Sequence, residues 1–160
     1  MVKRSARSRR VVPGAALLAI VLLTASPAGR AGAQRSLYDR LGGAPVVQAV
    51  AAEVIDVVAA RHDLGRSFAD TNLERIKRLL AEQICSVAAG PCHYSGDSMR
   101  EVHAGHQISE AEFYGMVEVL RDSLRRHGVH LRERNELLAL LAPMERDIVE
   151  SPHPPALAAK

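Results

Sequence analysis

The chain has 160 residues, with 21 Lys and Arg against 18 Asp and Glu and a formal net charge of +3 at pH 7. The first 33 residues hold six of those bases and no acid, so the rest carries 15 bases against 18 acids, a net charge of −3. The surplus of positive charge therefore belongs to the N-terminal segment, and the remainder offers no global charge argument for nucleic acid or an anionic membrane.

Lys3, Arg4, Arg7, Arg9 and Arg10 precede an apolar run from Val11 to Ala25, and small residues follow at Ala31-Gly32-Ala33. This pattern reads as a secretory signal peptide over residues 1–33. The run is about 15 residues, short of the roughly 20 needed to span a bilayer, and it contains Pro13 and Gly14. A retained anchor is the alternative. Ser8-Arg9-Arg10 makes a weak twin-arginine pattern, and no Cys lies near the cleavage point to take a lipid. The expected location is the periplasm or outside the cell, with no stable membrane insertion after cleavage. Residues 34–151 suffice for one domain with one modest core. A tail over 152–160, rich in Pro and Ala, is expected to be disordered.

The domain reads as helical throughout. Val47, Val50, Val54, Val57 and Val58 recur at helical spacing, with Gln48, Glu53 and Asp56 on the other side. Leu73, Ile76, Leu80, Ile84 and Val87 form a second stripe, which Gly90-Pro91 ends. Ser109 with Glu112 three residues on makes a capping box that opens a third helix. Its apolar positions are Phe113, Met116, Val117, Leu120 and Leu124, and Gly128 stops it. A fourth helix is expected through Leu137, Leu141, Met144 and Ile148, with Pro143 kinking it or absorbed near its end. The core has no Trp and only five aromatics, Tyr38, Phe68, Tyr94, Phe113 and Tyr114. A bound macrocycle would supply apolar surface that these side chains do not.

The residue that carries chemistry is His103, on the short apolar turn Met99-Arg-Glu-Val102-His103 before Gly105. A neutral imidazole offered from a short helix into an apolar cavity is how helical proteins hold haem iron. One ring nitrogen can bond a free carbonyl one turn back, near Met99, which fixes the tautomer and leaves the other for a metal. Leu37-Tyr-Asp-Arg-Leu-Gly-Gly43, Ser67-Phe68-Ala-Asp-Thr-Asn72, Gly90-Pro91 with Tyr94-Ser95-Gly96, and Pro143-Met144 accompany it in order. Together these segments, from about residue 36 to 150, resemble the group I truncated haemoglobins.

The resemblance implies an all-α, two-over-two globin that holds haem b noncovalently through His103. It implies a diatomic gas, O2, CO or NO, as ligand, and leaves room for a reductase partner. Met99, Ile108, Phe113, Val117 and Met144 are expected around the macrocycle, with Phe68 flat against it. Tyr94 either bonds a propionate or closes its loop. His106 takes the place of the basic residue that the family often carries three positions after the proximal histidine, and Lys77 and Arg78 are further candidates to neutralise propionates. No C-x-x-C-H occurs, so covalent attachment of the c type is not expected.

The ligand side departs from the family pattern. Many group I members place a tyrosine in the second helix and a polar pair on the next long helix. Ile55 stands at the tyrosine position, with Ile76 and Leu80 at the others. Gln83 is the nearest amide. It either reaches in or lies on the helix surface. Losing a donor to bound oxygen costs on the order of 1 kcal/mol, approaching tenfold in affinity. Oxygen storage and nitric oxide dioxygenation are both weakened as readings.

Cys85 and Cys92 are the only cysteines. Export favours a disulfide between them, and two free thiols are the alternative. A Zn or Cu site from Cys85, Cys92 and His93, with His103 or His106, lacks the usual short cysteine spacing. An exported helical binding module without cofactor is the remaining class. No nucleophile constellation stands out.

Overall fold

The computed structural model describes residues 35–150; the expected signal peptide, its cleavage point and the expected C-terminal tail lie outside them. Seven α-helices run in chain order: α1 (Leu37–Leu41), α2 (Gly43–Ala60), α3 (Leu73–Val87), α4 (Met99–His103), α5 (Glu110–Arg126), α6 (Leu131–Leu141) and α7 (Glu145–Ile148). Short 3₁₀ turns cover Gly65–Phe68 and Ala142–Met144. There is no strand among the described residues.

The four long helices form a closed ring of contacts. α2 packs on α3 and α5, α5 on α6, and α6 on α3. The valine stripe of α2 explains its central place: Val50 and Val54 are fully buried, with Val47 and Val58 nearly so. Ile84, Leu120, Leu124 and Leu137 meet them in one core cluster. Leu137 has no exposed surface, so truncation to Ala would cost about 2–5 kcal/mol. α2 is also long and apolar enough to cross a membrane, with a mean hydropathy of 1.6. Its apolar side is spent instead on α3 and α5.

Local chemistry sets the helix ends. Gly42 ends α1 and begins α2 at φ 110°, a left-handed conformation that suits glycine. A Cβ there would also meet Val46 Cγ2 at 2.5 Å. Asn72 caps α3 by accepting from the Arg75 amide. Capping boxes open both α4 (Ser98 with Glu101) and α5 (Ser109 with Glu112); the Ser98 signature was equally readable in the sequence and is what lets a five-residue helix hold. The last helix, expected through Ile148 with Pro143 kinking it or absorbed near its end, is three pieces. Pro143 has no amide to give the ladder, so the chain tightens over Ala142–Met144 and restarts as α7.

Polar links join the elements around the core. Arg40 bridges Glu133 and Glu136 of α6 at 2.9 and 2.6 Å. Glu53 of α2 accepts from Ser123 Oγ at 2.6 Å and from Arg126 Nε at 2.7 Å, both on α5. The Ser123 hydroxyl, then Arg126, holds the Glu53 carboxyl below the usual range.

Candidate functional site

α3 presents two apolar faces. Ile84, Cys85 and Ala88 are buried in the core, whereas Ile76 and Leu80 remain half-buried. Phe68, Met99, Ile108, Phe113, Val117 and Met144 are half-buried too. These come from the 3₁₀ turn after α2, from α4 and the loop behind it, from α5 and from the turn before α7. Apolar side chains are thus left half open on five separate elements, with Phe68 and Leu80 also packed against the core cluster; half-open apolar surface of this kind suits a large apolar ligand. Ile55 differs: it is 1% exposed, yet it stands apart from the main core cluster.

His103 sits half-buried at the end of α4. Its Nδ1 donates to the Met99 carbonyl at 2.7 Å, one of the carbonyls that a helix end leaves free. That bond selects the tautomer with an unprotonated Nε2, and Nε2 has no hydrogen-bond partner among the described residues. Nε2 is therefore left available as a ligand atom. The chain turns away immediately, with Gly105 at φ 80° and Gln107 at φ 53°. The donor chemistry and the half-open apolar side chains fit a haem held through one imidazole. No group of three His, Cys, Asp or Glu that could hold a metal ion occurs among the described residues, which leaves the Zn or Cu alternative without a ligand set.

The remaining candidates divide. Gln83 Nε2 points to Met144 Sδ at 3.6 Å. Tyr94 is half-buried, and its phenol is pushed up by burial, then by Asp97 and Glu82; a Cβ on Gly96 would meet its hydroxyl at 2.3 Å, so the ring closes over its own loop. His106 is exposed. Lys77 pairs with Asp56 and Glu74, each at 2.7 Å, and Arg78 pairs with Glu82. Both cations line a groove of about 350 Å³ with Tyr38, Val47 and Cys85, beside α3's core face. Cys85 and Cys92 are brought together, with Cα atoms 5.8 Å apart, within the range a disulfide requires. Two residues without a periodic signal also reach the site: Glu150 and Arg66 both hold the loop behind His103.

A ring of four long helices without a strand among the described residues is the architecture of the two-over-two haemoglobins. A family model described as bacterial-like globin matches residues 36–150. The group 1 truncated hemoglobin GlbN of Mycolicibacterium paratuberculosis is 32% identical over 71% of this chain and 83% of its own length. Its namesake from a Nostoc species is 25% identical over 71% of the chain and 97% of its own. The crystal structure of truncated hemoglobin from Tetrahymena pyriformis in the Fe(III) form superposes with a TM-score of 0.70 at 23% identity, over 73% of this chain and all of that one. The chain belongs to the bacterial-like globin family, among the group 1 truncated haemoglobins. It is a haem-binding globin, with haem b as the noncovalent group of the family and gas binding consistent with it.

Proposed function

We propose that His103 is the proximal ligand of haem b and that the chain reversibly binds a diatomic gas against an apolar distal wall. The observation that carries this reading is the 2.7 Å bond from His103 Nδ1 to the Met99 carbonyl. It orients the imidazole and reserves Nε2. Haem b supplies the iron to which a diatomic gas coordinates. Ile55, Ile76 and Leu80 would face that gas without a hydrogen-bond donor. Gln83, the amide nearest that stripe, has its N–H directed to Met144 Sδ. Phe68, Phe113 and Val117 would pack on the macrocycle and keep water out.

An apolar wall supports fast oxygen release and comparatively good CO binding, and so favours sensing, scavenging or delivery over storage. Dioxygenation of nitric oxide, with a reductase as partner, is the competing use of the same site. We place the protein in the periplasm or outside the cell, on the basis of the leader's composition and the paired cysteines. The test is the visible absorption spectrum of the purified protein, followed by dissociation rates for O2, CO and NO on the ferrous form. A Soret band with slow oxygen release would overturn the apolar-wall reading, and no Soret band after haem addition would overturn the haem site.

A further inference from the structure

The loop that follows His103 is held from two sides by residues far away in sequence. Its backbone needs such restraint, because Gly105 and Gln107 both adopt left-handed conformations, and Gln107 does so with a side chain. Glu150, just beyond α7, accepts from the Gly105 amide at 2.6 Å through Oε1 and from the Gln107 amide at 2.9 Å through Oε2. Its own backbone amide donates to the Ile108 carbonyl at 2.9 Å. From the opposite side Arg66, in the 3₁₀ turn that carries Phe68, donates to the carbonyls of His106 at 2.8 Å and Gln107 at 2.6 Å. Arg66 is itself fixed by a two-point pairing with Glu112 on α5, at 2.6 and 3.0 Å. Four backbone groups on the short exit from α4, the amides of Gly105 and Gln107 and the carbonyls of His106 and Gln107, are thereby claimed by one acid or one guanidinium.

The geometry points to Glu150 and Arg66 as positioning residues for His103. They do not touch the imidazole. They fix the peptide units two to four residues beyond it, and so the tilt and depth at which α4 delivers Nε2. Charge-assisted hydrogen bonds of this kind are short and directional, and a ligand must be held within about 0.5 Å of its productive place for its supporting shell to matter. Glu150 contributes a second restraint because it lies beyond the Pro143 break, so its bonds tie the end of α7 to the loop. This inference rests on His103 being the iron ligand, and the experiment separates the two ideas.

The variants are Glu150→Gln, Glu150→Asp and Asp147→Asn, each compared with the unaltered chain. Asp147 pairs with Arg100 between α7 and α4 but bonds none of the loop amides. Amide hydrogen exchange on the haem-free protein needs no iron, and Glu150→Gln should speed exchange at Gly105 and Gln107 by about tenfold or more. In the haem-loaded ferrous protein Glu150→Gln should take up one equivalent of haem as before and shift the iron–histidine stretching band in the resonance Raman spectrum. Glu150→Asp, which keeps the carboxylate, should restore part of both effects. Asp147→Asn should change neither. An unshifted band and unchanged exchange in Glu150→Gln would overturn the inference, and so would Asp147→Asn reproducing the shift. Failure of the unaltered chain to bind haem would instead overturn the haem site itself, with the exchange measurement still deciding whether Glu150 holds the loop.

Discussion

The side-chain amide of Gln83 donates to the sulfur of Met144 across 3.6 Å, tying α3 to the turn that Pro143 creates. The amide nearest the Ile76 and Leu80 stripe is thus directed to a thioether. A sulfur is a weak acceptor, so the link is one that a stronger partner would compete for. The first prediction follows. Ile55→Tyr restores a hydroxyl on the ligand side, and it should slow oxygen release about tenfold, as expected for a hydrogen bond of about 1 to 1.5 kcal/mol. Gln83→Leu should leave the rate nearly unchanged. A tenfold change from Gln83→Leu instead, measured by stopped-flow, would identify Gln83 as the donor.

His103→Ala should abolish stoichiometric haem binding, or leave haem that added imidazole restores. His93→Ala and His106→Ala should keep the wild-type spectrum, because both side chains are exposed and neither stands at the end of a helix facing the apolar wall. Haem titration followed at the Soret band checks all three variants. Loss in His106→Ala with retention in His103→Ala would show that the ligand lies three residues later.

Cys85 and Cys92 should form an intramolecular disulfide in the protein isolated under oxidising conditions. The bridge closes a loop of eight residues, and chain entropy assigns it about 2.5 kcal/mol. Reduction should lower the thermal midpoint and speed amide exchange between Ala89 and Met99 while haem stays bound. Thiol labelling of the native protein isolated under oxidising conditions decides it, and two labelled cysteines would refute the bridge.

Arg66, the strongest influence, together with Ser109 holds the Glu112 carboxyl down to about 2 from its ordinary 4.5. A carboxyl depressed in the folded state adds stability that is complete above its unfolded value and is lost as pH falls through the folded one. Between about pH 4.5 and 2 the thermal midpoint should therefore fall, and Glu112→Gln should flatten that part of the curve while lowering the midpoint at neutral pH. Parallel curves for the two proteins would show that Glu112 carries none of the acid sensitivity.

Much of this fold was legible because helical periodicity and capping are local. The valines of α2 and the Ser109–Glu112 box placed two of the long helices, and the free carbonyl one turn before His103 placed its hydrogen-bond partner. The second stripe was legible only in part. Ile76 and Ile84 look like one series, but eight residues at 3.6 per turn rotate by about 80°, which puts them on different faces with different surroundings. Glu150 and Arg66 gave no signal at all. Each binds backbone atoms about 40 residues away, and such contacts are set by how α7 and the turn at Gly65–Phe68 come to rest. The partner of Gln83 was hidden for the same reason, since Met144 reaches it only after the chain has broken at Pro143.

Phe68, Ile76, Leu80, Phe113 and Val117 are half-buried, and packing haem on them as proposed would make folding a matter of supply as well as sequence. A ligand that binds only the folded state adds RT ln(1 + [L]/Kd) to its stability, and here that ligand completes surface the polypeptide leaves open. Haem-free chains thus carry a smaller margin against unfolding than their loaded counterparts. The amount of protein that survives becomes a readout of how much haem reaches it.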